Sequence, residues 1–267
     1  MINLLKILFK NPLRVLLKFF YGDELKSKPL RSTSMVIYYP PHQHLTFFGK
    51  HIVDYEREIM KYLKISTSVK EGDLVFDIGS NIGQYMLFFS DVVNTSGKVI
   101  CFEPNPYSFK ILCKNKIENK LDNVILVKAG IASVETKSLM LADDETGGRL
   151  SKLITSNEAK SHNAQEYFET DVYSLKSVID KYGDPDFVKI DVEGGESDIF
   201  ASVDLDHLPS KTKFIVEVRT ETKECIFSFF KNYDCFCIET QSVINSSSDI
   251  PNFANLIFQN TKNNNLS

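Results

Sequence analysis

From residue 74 to residue 239, short apolar runs alternate with segments of helical spacing. A strand that is apolar on both faces must be covered on both sides, so this alternation demands a mostly parallel sheet flanked by helices, an α/β fold. The runs are LVFDI (74–78), KVICFE (98–103), NVILVK (123–128), DFVKIDV (186–192) and KFIVEV (213–218). Helical spacing follows at roughly 81–91, 106–120, 174–182, 196–203 and 221–231. YDCFCIE (233–239) and NFANLIFQ (252–259) complete the sheet as an antiparallel pair, which makes seven main strands. SLML (138–141) and EYFETDV (166–172) read as two more strands around a polar stretch. No repeat and no long linker interrupts residues 71–260, the expected α/β domain. Before it stand a basic segment at 1–30 and a helical and strand extension at 31–70; a disordered tail is expected at 261–267.

Net charge is −4 with neutral His, close enough to balance to exclude binding driven by phosphate attraction along the whole surface. The charge is unevenly spread, with +7 over residues 1–70 and −11 over the remainder, and the latter value argues against nucleic acid as a partner of the α/β region. Within residues 1–20, Lys6, Lys10, Arg14 and Lys18 recur every fourth position among Leu, Ile, Phe and Val. That is the pattern of a basic amphipathic helix, suited either to packing on the domain's own surface or to docking on an anionic membrane. Four charges break the apolar run, so neither a spanning helix nor a signal peptide is expected. Five scattered Cys without zinc spacing read as reduced thiols, hence a cytoplasmic protein, with peripheral attachment to the inner membrane surface through residues 1–20 as an added expectation.

The informative residues stand where strands end, because the ligand crevice of an open α/β sheet lies outside the carboxyl ends of its strands. The first strand runs into Asp77-Ile78-Gly79-Ser80-Asn81-Ile82-Gly83. Gly79 and Gly83 allow a sharp turn and a close approach of backbone to ligand, just before a helix N-terminus. A side chain at Gly83 is expected to enter the ligand's space. Glu103 falls at the end of the second strand, where a carboxylate can accept both hydrogen bonds of a ribose diol. The loop reads G-x-N-x-G rather than the dinucleotide G-x-G-x-x-G, which suits a nucleoside without a pyrophosphate. These features point to S-adenosylmethionine as the cofactor.

VFDIGSNIGQY (75–85), VICFEPNP (99–106) and FVKIDVEGGESDIF (187–200) resemble the FkbM-like, S-adenosylmethionine-dependent methyltransferases. Tyr55-Glu56 and TDVYSLKSVID (170–180) fit the same pattern, and the likeness covers roughly residues 50–240. The resemblance implies a Rossmann-like class I methyltransferase sheet with an antiparallel last strand. It also implies O-methylation of a hydroxyl on a sugar or a natural product, so the partner is a small-molecule or glycan acceptor. By position, Asp77, Gly79, Asn81 and Gly83 would hold the methionine end of the cofactor and Glu103 its ribose. Gly195 stands where the family usually has a small alanine, and residues 128–131, at the adenine-contacting corner, depart from the pattern.

Methyl transfer of this kind is an in-line displacement, so alignment carries most of the catalysis and a base assists if the hydroxyl must lose its proton. The candidate acids are Asp191 and Glu193, which alternate onto one side at the end of the fourth strand, and Glu217, which ends the fifth. Glu196 suits the first turn of the following helix as a complement to its dipole. Asp191 and Glu217 lack an obvious third ligand for a divalent ion, so no metal is assigned. His42 and His44 read as a solvated loop. Two other classes remain as rivals: a non-catalytic nucleoside-binding scaffold at a membrane surface, and an NAD-dependent dehydrogenase.

Overall fold

The computed structural model describes residues 24–30, 33–40, 57–66, 68–141, 152–154, 167–192 and 194–260. The expected amphipathic helix at 1–20, the His42–His44 loop, Tyr55, Glu56, Glu193 and the tail 261–267 lie outside them. In chain order the elements are β1 (Lys26–Pro29), β2 (Val36–Tyr39), α1 (Arg57–Ile65), β3 (Leu74–Ile78), α2 (Gln84–Val93), β4 (Lys98–Phe102), α3 (Pro106–Glu118), β5 (Val124–Val127), β6 (Ala129–Ala132), β7 (Thr136–Leu141), β8 (Lys152–Ile154) and β9 (Tyr167–Ser174). There follow α4 (Leu175–Tyr182), β10 (Phe187–Ile190), α5 (Glu196–Phe200), β11 (Lys213–Arg219), α6 (Lys223–Phe229), β12 (Tyr233–Cys237), β13 (Ser242–Ile244) and β14 (Phe253–Asn260).

The main sheet has the order β13-β12-β14-β11-β10-β3-β4-β5. Strands β5, β4, β3, β10 and β11 are parallel, and β14 runs antiparallel between β11 and β12. This is the Rossmann-like arrangement that the motifs implied. The seven expected strands are joined by an eighth, β13, a short hairpin partner of β12 at the edge. The chain moves outward from β3 to β5 and then returns on the other side of β3 as β10. The order therefore reverses between β3 and β10, the place where open α/β sheets bind their ligands.

Alternate residues of each strand fill two cores. Val75, Val99, Phe187 and Ile215 face a cluster that includes Met86 and Phe89 of α2 and Met60 and Leu63 of α1. Phe76, Ile100, Val188 and Phe214 face Leu175 and Val178 of α4, Phe200 of α5 and Ile226 of α6. On that second side the Phe230 ring stacks on Phe258, centroids 3.9 Å apart, and meets Phe200, Phe214 and Tyr233 edge-on. Such pairs are worth about 0.5–1.5 kcal/mol each beyond their buried area, which seats α5 and α6 on the sheet.

The 31–70 extension shares the first core, since Leu30, Ile37 and Tyr39 are buried there with α1. It is tied down by helix side chains acting as a strand would. Asn119 accepts from the Val36 amide at 2.9 Å and donates to the Val36 carbonyl at 2.7 Å. One turn earlier, Asn115 accepts from the Tyr38 amide and donates to the Tyr38 carbonyl at 3.0 Å. Two asparagines four residues apart on α3 thus satisfy the open edge of β2.

A second sheet, β6-β9-β7-β8, holds the strands expected at 138–141 and 166–172. Helix α2 starts at Gln84, three residues later than the spacing suggested, because Gly79, Asn81 and Gly83 all take positive φ. Helix α5 spans only five residues instead of reaching residue 203. Among the described residues no helix is long and apolar enough to cross a membrane.

Candidate functional site

The loop after β3 is fixed by its neighbours before any ligand is considered. The amides of Gly79 and Ser80 both donate to the Phe102 carbonyl at 3.0 Å, which pins the turn to the end of β4. Ser80 Oγ donates to the Asp77 carbonyl at 2.7 Å. Gly79 adopts φ +81°, and a Cβ there would collide with the Asp191 carbonyl. Only glycine lets the ends of β3 and β10 approach this closely.

Gly83 is required for a different reason from the one expected. Its φ is +96°, and a Cβ would meet Leu112 Cδ1 at 2.7 Å and Met86 Cε at 2.9 Å. Those are side chains of this molecule, so the space beside Gly83 belongs to the packing of α2 against α3 rather than to a ligand. Both are flexible ends that can yield, which leaves the left-handed backbone as the main penalty. Gly83→Ala should lower stability by about 1–2 kcal/mol, read as a fall of several degrees in Tm.

Asp77 is fully buried, and neither carboxylate oxygen accepts a hydrogen bond. Burial raises its pKa above the usual carboxylate range, against the pull of Lys189. Asn81 Oδ1 and Gln84 Nε2 are likewise buried without partners. Four buried polar atoms within residues 77–84 thus lack a hydrogen bond, although Asp77 Oδ1 has the Lys189 ammonium 3.7 Å away. Such atoms are costly in a finished interior and suit a polar ligand that would complete them.

Glu103, just beyond β4, braces the loop from the other side. Its Oε2 accepts from the Asn81 amide and its Oε1 from the Asn105 amide, both at 2.8 Å. Asn105 in turn caps α3 by accepting from Tyr107 N and Ser108 N, with Pro106 at the first helical position. Each Glu103 oxygen keeps one lone pair for a further donor, the geometry for a vicinal diol. Burial pushes the Glu103 carboxyl up from 4.5 to about 7.

Across the switch point, the Asp191 amide donates to the Ile78 carbonyl at 3.1 Å, which joins the ends of β10 and β3. The Asp191 side chain is 24% exposed, whereas that of Asp77 is wholly enclosed. Between the two carboxylates lies Lys189, with Nζ 3.4 Å from Asp191 Oδ2 and 3.7 Å from Asp77 Oδ1. The Lys189 ammonium also sits 4.7 Å from the centre of the Tyr85 ring.

Two other acids weighed from the sequence, Glu217 and Glu196, are already committed to partners. Glu217 is buried, and its Oε1 accepts from Arg219 Nη2 at 3.1 Å. Glu196 stands in the first turn of α5, as expected of an acid complementing the helix dipole. It also caps the loop before it, accepting from Gly194 N at 2.9 Å and Val192 N at 3.4 Å. Among the described residues no group of three or more His, Cys, Asp or Glu could hold a metal ion. Asp77, Gly79, Asn81, Gly83, Glu103 and Asp191 thus gather at and just beyond the carboxyl ends of β3, β4 and β10, with Glu217 on the neighbouring strand β11.

Sequence reasoning passed over Lys189, Gln84 and Tyr85. Lys189 carried a signal: it is the one charged residue inside β10, and a charge within a strand covered on both faces needs a partner. Asn115, which also donates to the Ile82 carbonyl at 2.7 Å, gave none, because its loop and hairpin partners are 33 and 77 residues away.

The "Methyltransferase FkbM domain" family matches residues 77–237. The chain is 26% identical over 181 residues to the 31-O-demethyl-FK506 methyltransferase FkbM of Streptomyces tacrolimicus, covering 59% of this chain and 69% of that protein. Similar solved structures include precorrin-6y C5,15-methyltransferase from Geobacter metallireducens GS-15, with a TM-score of 0.48 at 16% identity over 76% of this chain and 88% of that one. Another is the methyltransferase FkbM from Methylobacillus flagellatus KT, with a TM-score of 0.46 at 14% identity over 72% of this chain and 44% of that one. With the family matched from the Asp77 loop to the end of β12, the chain belongs to the FkbM methyltransferase family.

Proposed function

We propose that this protein is an S-adenosylmethionine-dependent O-methyltransferase acting on a hydroxyl of a sugar, free or lipid-linked, or of a natural product. The carrying observation is the cluster of buried polar atoms without hydrogen bonds on Asp77, Asn81 and Gln84, in the loop that Glu103 holds through the Asn81 amide. A cofactor with an α-ammonium, a sulfonium and a ribose diol would satisfy both groups. S-adenosylmethionine supplies a methyl carbon activated by its sulfonium.

The chain's own residues do the rest. Glu103 accepts from the ribose hydroxyls while its backbone partners keep it in place. Asp77, wholly enclosed, attracts the positive end of the cofactor. Asp191, the more exposed of the two strand-end aspartates, meets the acceptor hydroxyl and orients it or takes its proton. Phe253, 42% exposed at the start of β14, lies 6.0 Å from the Arg219 guanidinium and offers an apolar face to the acceptor beside polar neighbours. Residues 1–20 would add contact with anionic lipid at a cytoplasmic membrane surface, on the strength of their cation repeat.

The dehydrogenase reading is disfavoured by Asp77, since a buried carboxylate at the loop would repel a pyrophosphate. Calorimetry with S-adenosylmethionine and with NAD separates the two. Incubation with methyl-labelled cofactor and a panel of glycans, lipid-linked sugars and hydroxylated metabolites then tests transfer. Binding of S-adenosylmethionine with label on an acceptor oxygen is expected. Binding of NAD in its place would overturn the reading, and cofactor binding without transfer to any acceptor would favour the scaffold.

A further inference from the structure

The function proposed above uses the two aspartates but not the cation between them. Lys189 lies on the same sheet face as Asp77, its register partner on β3, and its side chain is only 6% exposed. Its ammonium is held within 4 Å of both Asp77 and Asp191 and over the Tyr85 ring. A buried lysine stem is held in few rotamers, so this placement is a fixed part of the crevice wall.

Resting on the cofactor assignment above, we propose that Lys189 is a positioning residue that ties the cofactor-side Asp77 and the acceptor-side Asp191 to one shared cation. Asp77 thereby presents a carboxylate to the cofactor, and Asp191 is steered toward the acceptor. Asp77 is faced by few other groups that could do this. From β4 comes the Cys101 thiol, its register partner, and beyond that strand Glu103. From the loop comes Ser80, from α2 the phenol of Tyr85, and from β10 Lys189 and Asp191. Lys189 is the only cation in this set. Burial disfavours the charged form of Asp77, the like charge of Asp191 adds to that, and Lys189 opposes both.

The test reads Asp77 directly. Carboxyl carbon NMR of the full chain labelled at aspartate, with Asp77→Asn to assign the signal, follows its ionisation against pH. Lys189→Met keeps the stem and removes the charge, and should move the Asp77 midpoint upward by about 1–3 pH units. Lys189→Arg should restore it. Calorimetry with S-adenosylmethionine should show the methionine variant binding about tenfold more weakly for each pH unit below the new midpoint, recovering as pH rises past it. A merely structural lysine would lower affinity without moving the pH profile. Where Lys189→Met unfolds, Lys189→Gln serves in its place. An Asp77 midpoint unchanged in the charge-free variants, or an arginine variant that behaves like them, overturns the proposal. A wild-type protein that binds no S-adenosylmethionine overturns the cofactor assignment alone, because the NMR arm decides the Lys189–Asp77 link without ligand.

Discussion

Glu103→Ala should weaken S-adenosylmethionine binding about 10²-fold while the protein remains folded. Two hydrogen bonds from ribose hydroxyls to a charged acceptor are lost, at about 1.5–3 kcal/mol each. The lower sum already corresponds to roughly two powers of ten in affinity. The substitution also leaves the Asn81 and Asn105 amides without their 2.8 Å acceptor, so part of the loss comes from a loosened loop. Circular dichroism and thermal melting of the variant establish that it is folded, and calorimetry reads the affinity. Unchanged affinity in a folded variant would remove Glu103 from the cofactor site.

The same carboxyl carries a pH dependence. Folding raises it from 4.5 to about 7, so the folded form keeps a proton that the unfolded chain releases. Its contribution to stability is therefore fully present below about pH 4.5 and is lost as pH rises through about 7. Cofactor affinity runs the other way, since only the ionised carboxylate can accept from both hydroxyls without donating. Wild-type binding should weaken as pH falls below about 7. In Glu103→Ala that limb should disappear, leaving whatever dependence Asp77 contributes.

How much of this was legible in the sequence depends on which physical signal each part leaves behind. Strands covered on both faces must be apolar throughout, and LVFDI, KVICF and FIVEV announce themselves for that reason. β6 is AGIA, whose small residues give no strand signal, and it pairs with β9 some 40 residues later in register. β1 is KSKP, with an imino acid and two lysines, and becomes a strand only because β2 pairs with it. β13 is a short edge strand that exists because β12 offers it an open side.

The site divides in the same way. Asp77, Glu103 and Asp191 were readable because crevice residues collect at strand ends near the point where the sheet order reverses. Gly83 was located but given the wrong reason, since only the structure brings Leu112 of α3 beside it. Glu217 was expected to end the fifth strand, but β11 runs on to Arg219, and the ion pair between Glu217 and Arg219 was not weighed. Lys189 was passed over, although a charge in a doubly covered strand is itself a sign of a buried partner.

Those partner relations favour Asp191 for the acceptor side of the proposed reaction, and they give the second large expectation. Asp191→Asn should lower the rate of methyl transfer about 10²-fold or more, with cofactor affinity changed by only a few-fold. The amide keeps the size of the side chain and an oxygen that Lys189 can still reach at about the present 3.4 Å. What is lost is the negative charge that draws the proton from the acceptor hydroxyl as its oxygen attacks. Glu217→Gln is the comparison, and it should cost less, because Glu217 is 9% exposed and its Oε1 is engaged by Arg219. Glu193→Gln completes the set, since that residue shares the strand-end motif. Single-turnover rates with saturating labelled cofactor separate the chemical step from binding in all three variants. Full activity in Asp191→Asn together with loss in one of the others would transfer the role to that residue. Activity abolished by a chelator and restored by a divalent ion would instead make Asp191 a metal ligand, which its present pairing with Lys189 argues against.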